Sequence, residues 1–111
     1  MQSPEERAIG IVKRSLIKEG AHIDDKDPLP QGQLLSVILD TNVRDSNEMV
    51  AQKLNAVLMG AAGRILINND RNPNDRYELA SKLKGNRTVD SLVGAVKREL
   101  ENIQNDPNAV A

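Results

Sequence analysis

The most apolar stretch of this 111-residue chain is SNEMVAQKLNAVLMGAAGRILIN, residues 46–68. Its apolar residues recur at steps of three and four, which is the period of one helix face and differs from the alternation of a β-strand. The series runs Val50, Leu54, Val57, Ala61 and Ile65, with Leu58, Ala62 and Leu66 beside it. This pattern predicts a long central helix over residues 46–67, around which the rest of the chain packs.

A run of small residues, Gly60 to Gly63, lies inside this predicted helix. A neighbouring helix can approach closely there, although the two glycines weaken the helix itself. We therefore treat Gly60 and Gly63 as candidate protein contacts. In the alternative interpretation the helix ends at Met59 and residues 64–67 form a short strand. The glycine spacing also matches a nucleic-acid-clamping loop of the KH kind, but the polar segment 68–73 comes too soon for the helix that follows such a loop.

Composition places the chain among globular proteins, with 39% hydrophobic and 28% charged residues. Tyr77 is the only aromatic residue, so the core is aliphatic, which favours a helical bundle over a β-sandwich. The length predicts a single helical domain over residues 1–105, followed by a mobile tail at 106–111. The predicted fold is all-α, with about five helices in an orthogonal or bundle-like arrangement around residues 46–67.

Charge and cysteine content limit the classes of function. With 15 Lys and Arg against 16 Asp and Glu, the net charge of −1 gives the whole protein no attraction for nucleic acid or anionic membranes. The absence of cysteine excludes disulfides, thiolate metal sites and a cysteine nucleophile. No uninterrupted apolar run approaches 18 residues, so we expect no signal peptide or membrane span and a cytoplasmic location.

The first helix has the clearest boundaries. Ser3 is the expected N-cap, with Pro4 at the first helical position and Glu6 three residues after the cap, and Gly20 is the expected C-terminal glycine. We predict a helix over residues 4–19. Its second half carries Lys13, Arg14 and Lys18. These cations suit the helix dipole and indicate a solvated face, with phosphate binding as the alternative.

A second helix is predicted from Pro30 or Gln31 to about Thr41, after a proline-punctuated loop. Its apolar residues are nearly continuous, since they comprise Leu34, Leu35, Val37, Ile38 and Leu39. One short helix cannot turn all five toward a single core, so some of them must be covered by something else. We selected Leu35 and Leu39 as candidate protein contacts.

Two further helices complete the prediction. Asn72 and Pro73 repeat the capping logic of the first helix and begin a helix over 73–84, in which Tyr77, Leu79, Ala80 and Leu83 are expected to be buried. Thr88 caps a last helix that ends near Asn105. Asp70, Asn72 and Asn74 alternate as in a calcium loop, but the glycine and the closing glutamate of such a loop are missing.

The hairpin over residues 73–103 resembles a helix-turn-helix unit. Ala80 in its first helix, Gly85 in the turn and the Thr88 cap meet the steric needs of that unit, although the spacing differs from the usual pattern by one residue. If its second helix entered a major groove, four residues are the candidate DNA contacts: Arg87, Ser91, Lys97 and Arg98.

Chemistry that would indicate an enzyme, a metal or a cofactor is not evident. His22 is the only histidine, so neither a zinc set nor a serine–histidine pair can be assembled, and the neighbouring Asp24 and Asp25 need not converge. We therefore expect a non-catalytic protein-binding or assembly module that associates with itself or with another protein, without a small-molecule substrate. The second hypothesis is a helix-turn-helix DNA-binding transcriptional regulator.

Overall fold

Helices dominate the computed structural model, which describes residues 3–39 and 47–105. Within those residues there are five α-helices and no β-strand. They are α1 (Pro4–Lys18), α2 (Leu35–Leu39), α3 (Asn47–Asn68), α4 (Arg76–Leu83) and α5 (Val89–Asn105). The all-α prediction is confirmed. The linker before α3 and the tail predicted to be mobile lie outside the described residues.

The central helix is continuous, as the apolar period predicted. α3 runs from Asn47 to Asn68, so neither a stop at Met59 nor a strand at 64–67 occurs. Its stripe is buried over the second half of the helix: Val57, Leu58, Ala61, Ala62, Ile65 and Leu66. Val50 and Leu54 are partly buried and pack against the same core. Because Gly60–Gly63 is helix interior, the loop required for a KH-type clamp is not formed there.

Every other helix is arranged around α3 or around α1. α1 packs on both α3 and α5, whereas α2 and α4 pack on α3. α3 ends in a turn in which Asp70 has a left-handed backbone (φ 56°) and the Arg71 N–H donates to the Leu66 carbonyl at 2.8 Å. This turn reverses the chain, so that α4 returns along α3. The result is one shared aliphatic core.

The boundaries of α1 follow its predicted caps. The Glu6 N–H donates to the Ser3 hydroxyl at 3.2 Å, and Pro4 begins the helix. At the other end Gly20 has φ 88°, a backbone conformation that side-chain-bearing residues rarely adopt. Local sequence therefore sets both ends of α1.

The second helix begins later than predicted, because residues 31–34 pair with the start of α5 and are not helical. Its predicted end near Thr41 lies outside the described residues. The Val89 and Asp90 N–H groups donate to the carbonyls of Gln33 (3.0 Å) and Gln31 (2.9 Å). Leu34 forms an isolated antiparallel bridge with Thr88. These contacts join residues that are more than 50 positions apart in the sequence, so no local sequence pattern predicts them. The predicted start at Pro30 or Gln31 is wrong.

Tyr77 was predicted to be buried and is 63% exposed. The helix that contains it begins later than predicted, because Pro73–Asp75 forms a single 3₁₀ turn before α4. α4 buries Leu79, Ala80 and Leu83 against α3, and Tyr77 lies on the opposite side. There its ring is 4.8 Å from the guanidinium carbon of Arg76, a cation–π contact.

By length and apolarity alone, α3 would be long enough to cross a membrane over Glu48–Asn68. Of its most apolar window, 33% is buried by the other helices. The core helix of a globular protein has the same length and composition, so this property does not by itself indicate a membrane protein.

A pair of adjacent leucines tests the position of α2. Leu35 is fully buried whereas Leu34 is 47% exposed. Leu35→Ala should lower the free energy of unfolding by about 2–5 kcal/mol, because it leaves a cavity in the core, and Leu34→Ala by about 0.5 kcal/mol. Urea denaturation followed by circular dichroism measures both. Equal losses in the two variants would contradict the described register.

Candidate functional site

The outer face of α3 carries a groove of about 690 Å³ between α1 and the 3₁₀ turn. It contains both glycines that the sequence singled out. The lining residues are Ser15, Lys18, Glu19, Ala56, Met59, Gly60, Gly63, Arg64, Ile67, Pro73 and Arg76. Four of them lie along α3 at steps of four, three and four, so they share one face of the helix: Ala56, Gly60, Gly63 and Ile67.

Gly60 and Gly63 have no side chains, so the groove is deep at these two positions. A Cβ atom added at Gly60 would lie 3.2 Å from Arg64 Nη1 and 3.8 Å from Ser15 Oγ, and one added at Gly63 would lie 3.9 Å from Arg76 Cδ. At Gly60, α1 thus lies at ordinary van der Waals distance, and the tighter contact is with the Arg64 side chain of α3 itself. Ser15 fits this buried contact because its hydroxyl donates to the Ile11 carbonyl of its own helix at 2.8 Å.

Two large apolar residues line the groove: Ile67, which is 60% exposed, and Met59, which is partly buried against the core. Ile67 is therefore the apolar side chain that the groove presents to solvent. It stands at one end of a floor made otherwise of glycine and alanine. The walls carry three cations, Lys18, Arg64 and Arg76, against one carboxylate, Glu19. The groove thus combines an apolar floor with a positively charged rim.

Leu35 and Leu39, the other two candidate protein contacts, are fully buried in the core. They cannot serve as surface contacts. The exposed apolar residues of this segment are instead Leu34 and Val37, at 47% and 58% exposure. Two apolar side chains of this segment therefore remain at the surface, whereas the two residues chosen as candidate contacts are core residues.

The four candidate DNA contacts are not gathered in one place. Ser91 and Arg98 line a cavity of about 430 Å³ at the α4–α5 turn, together with Lys82, Lys84 and Asp90. Lys97 lies outside that cavity and is 4.0 Å from Glu101, its ion-pair partner one turn along α5. Arg87 is exposed in the turn itself. The turn therefore has a basic rim, interrupted by Asp90.

Backbone N–H groups at the start of α5 already form hydrogen bonds within the protein. The backbone pairing with residues 31–34 uses the N–H groups of Val89 and Asp90, and the Ser91 N–H donates to the Thr88 hydroxyl at 3.3 Å. The Ser91 hydroxyl donates to Asn86 Oδ1 at 2.6 Å. In a helix-turn-helix unit this end would face the DNA, whereas here many of its donors have internal partners. In addition, α4 and α5 pack chiefly on other helices, α3 and α1 respectively.

Hydrogen bonding at this cap lowers the pKa of Asp90. The largest cause is the hydrogen bond from the Thr88 side chain, and the backbone N–H groups of Asp90 and Ser91 act in the same direction. Because the charged carboxylate is favoured, this cap contributes stability above the usual pKa of aspartate, and that stability is lost as the pH falls through the lowered pKa.

No metal or catalytic cluster is formed by the residues considered for one. Within 3–39 and 47–105, no group of three or more His, Asp or Glu side chains is gathered as metal ligands would be. His22 is exposed, and Asp24 accepts a hydrogen bond from the Lys26 N–H in its own turn. Asn72, part of the calcium-like pattern, caps the 3₁₀ turn by accepting from the Asn74 N–H at 3.0 Å.

Several residues that build these surfaces were not singled out from the sequence. Ile67, Arg64 and Arg76 belong to the groove, and Arg7 lines a separate cavity with Arg14 and Arg64. In the sequence, only the basic residues in the second half of α1, which include Arg14 and Lys18, indicated a positively charged surface. The convergence of arginines from α1 and α3 depends on how the two helices pack, which local sequence does not encode.

Comparison with known proteins gives no match: no family model, no curated protein and no solved structure is significantly similar to this chain. The function must therefore be argued from the surfaces described above.

A substitution at the α5 cap tests the cause of the Asp90 shift. Thr88→Val removes the hydroxyl, so the pKa of Asp90 should rise toward its ordinary value. NMR titration of the side-chain carboxyl carbon measures this, with Ser3→Val, which removes the cap hydroxyl of α1 instead, as the control. An unchanged Asp90 titration in Thr88→Val would show that the Thr88 hydroxyl does not stabilise the carboxylate.

Proposed function

We propose that this protein is a non-catalytic assembly module that binds a second copy of itself through the groove on α3. The observation that carries this proposal is the open floor of Ala56, Gly60 and Gly63 beside the exposed Ile67. An exposed large aliphatic side chain next to a small-residue hollow is a favourable arrangement for burial between two proteins.

The spacing of the floor residues suits a two-fold interface. Ala56, Gly60, Gly63 and Ile67 follow one another at steps of four, three and four, which read the same in both directions. If α3 crosses its copy in antiparallel orientation, Ile67 of each protomer meets Ala56 of the other and Gly60 meets Gly63. In a two-fold interface the same patch serves both subunits and must be self-complementary. The patch satisfies that condition, because the large side chain of Ile67 at one end can fill the space above the small side chain of Ala56 at the other end.

The rim of the groove sets the salt dependence of this association. Each protomer contributes Lys18, Arg64 and Arg76 against Glu19 alone, so two copies bring like charges together at the edge. Exposed charges at a rim act weakly and are screened by salt. Self-association should therefore strengthen as salt rises. An acidic partner helix in the same groove would show the opposite trend.

Two substitutions test this interface by sedimentation equilibrium at micromolar to millimolar concentration. Ile67→Lys should abolish self-association, because it removes the bulge and adds a cation to a cationic rim. Val37→Lys is the matched control, since Val37 is equally exposed but lies on α2. Gly63→Leu should also abolish association, although it replaces a helix-weakening residue and so favours the monomer helix.

A monomer at all concentrations and salt conditions would overturn the proposal. So would association that Ile67→Lys and Gly63→Leu leave intact. Circular dichroism of each variant shows whether its helices are retained, which separates loss of the interface from loss of the fold.

DNA binding is a second candidate function, favoured by one observation. Lys82, Lys84 and Arg98 surround the cavity at the α4–α5 turn, and Arg87 is exposed beside them. Two observations oppose DNA binding. The Asp90 carboxylate lies within that cavity, and the N–H groups at the start of α5 already have hydrogen-bond partners inside the protein.

Retention on duplex DNA at low and moderate salt tests this second candidate. Binding should weaken as salt rises and should fall in Arg87→Ala and Arg98→Ala, because phosphate contacts depend on such cations. Arg71→Ala, in the turn before α4 and thus at the other end of that helix, is the control. The candidate fails if the protein shows no salt-dependent retention, or if the control weakens retention as much as the two turn variants.

A further inference from the structure

A cavity of about 390 Å³ opens between α1 and the second half of α3, next to the groove but distinct from it. Its lining residues are Arg7, Gly10, Ile11, Arg14, Arg64 and Asn68. They include three guanidinium groups and one carboxamide, and no carboxylate. In a chain of net charge −1, this is a local concentration of positive charge with hydrogen-bond donors.

The packing of α1 against α3 brings these cations together. Arg7 and Arg14 are seven residues apart, which places them on one face of α1 about 10 Å apart along its axis. Arg64 reaches the same cavity from α3, four residues before Asn68. The three arginines therefore approach the cavity from two helices, as groups that hold one multivalent anion do.

No carboxylate within residues 3–39 and 47–105 pairs with these arginines. Among the described residues, none of the three forms an ion pair within 4.0 Å, and Arg64 Nη1 donates instead to the Gly60 carbonyl at 3.3 Å. Asp25 lines a neighbouring cavity with Arg14 and Arg64, but it does not pair with either. Like charges gathered without a counter-charge repel one another, and a bound anion removes that repulsion.

Gly10 keeps the cavity open. It lies in the middle of α1, where glycine weakens a helix, yet an added Cβ atom would meet nothing within 4 Å. No packing contact inside the protein therefore requires a glycine at this position. A larger side chain would project into space that the cavity now occupies.

We propose that Arg7, Arg14 and Arg64 form a binding site for a phosphate group, either free phosphate or the phosphate of a small ester. A phosphate presents several acceptor oxygens and a charge near −2, which the planar forks of three arginines can match. Asn68 supplies a neutral donor at the edge of the site. The site shares Arg64 with the rim of the proposed assembly groove, whereas Arg7 and Arg14 do not line that groove.

NMR titration with inorganic phosphate and with glycerol phosphate tests this site, at constant ionic strength held with sodium chloride. Saturable shifts are expected at the side-chain Nε–H groups of Arg7, Arg14 and Arg64 with at least one of the two probes. Comparing the probes shows whether free phosphate or an ester is preferred.

Variants decide whether the shifts report this cavity. Arg7→Gln and Arg14→Gln should each weaken binding about tenfold, as expected for loss of a charge-assisted hydrogen bond. Gly10→Leu should abolish binding by filling the cavity while favouring the helix. Arg71→Gln, at an arginine in the turn after α3 that lines neither this cavity nor the groove, is the matched control and should bind as the wild type does.

No saturable shift with either probe would overturn the proposal. Equal weakening in Arg71→Gln and Arg14→Gln would also overturn it, because binding would then reflect net charge. Self-association is measured in the same samples, and since Arg7 and Arg14 lie outside the groove, failure of the phosphate site leaves the assembly proposal unaffected.

Discussion

The fold depends on burying one apolar face of α3. Val57, Ala61 and Ile65 are fully buried there, and α1, α2 and α4 pack against this helix. Without aromatic residues the core contains only aliphatic groups, whose stabilisation comes from the amount of surface removed from water and from close packing. A long helix at the centre meets this requirement because every other helix can lie against it or against its neighbour α1.

The same constraint creates the surfaces to which we assign functions. α3 has more length than its neighbours can cover, so its outer face remains as a groove from Ala56 to Ile67. Packing of α1 beside α3 places basic residues of α1 near Arg64. The small residues Gly60 and Gly63 leave a hollow floor beside that contact. Assembly and anion binding are proposed for two adjacent parts of one helix pair.

Sequence reasoning predicted features that depend on local chemistry. The Ser3 cap, the glycine turn at residue 20 and the continuous period of α3 are set by neighbouring residues, and all three occur. Features that depend on distant contacts were missed. The pairing of residues 31–34 with the start of α5 determines which leucines of α2 face inward, and thus why Leu35 is buried and Leu34 exposed. The gathering of three arginines likewise depends on helix packing.

The central claim is that α3 is one cooperative helix buried by the rest of the chain. Native-state hydrogen exchange measures it most directly, by comparing amides on the two sides of Gly60, such as Leu58 and Ile65. We predict that both exchange only through global unfolding, with the same free energy and the same denaturant dependence. If the amides after Gly60 exchanged with a much smaller free energy than those before it, the helix would open in two parts and the account would be contradicted.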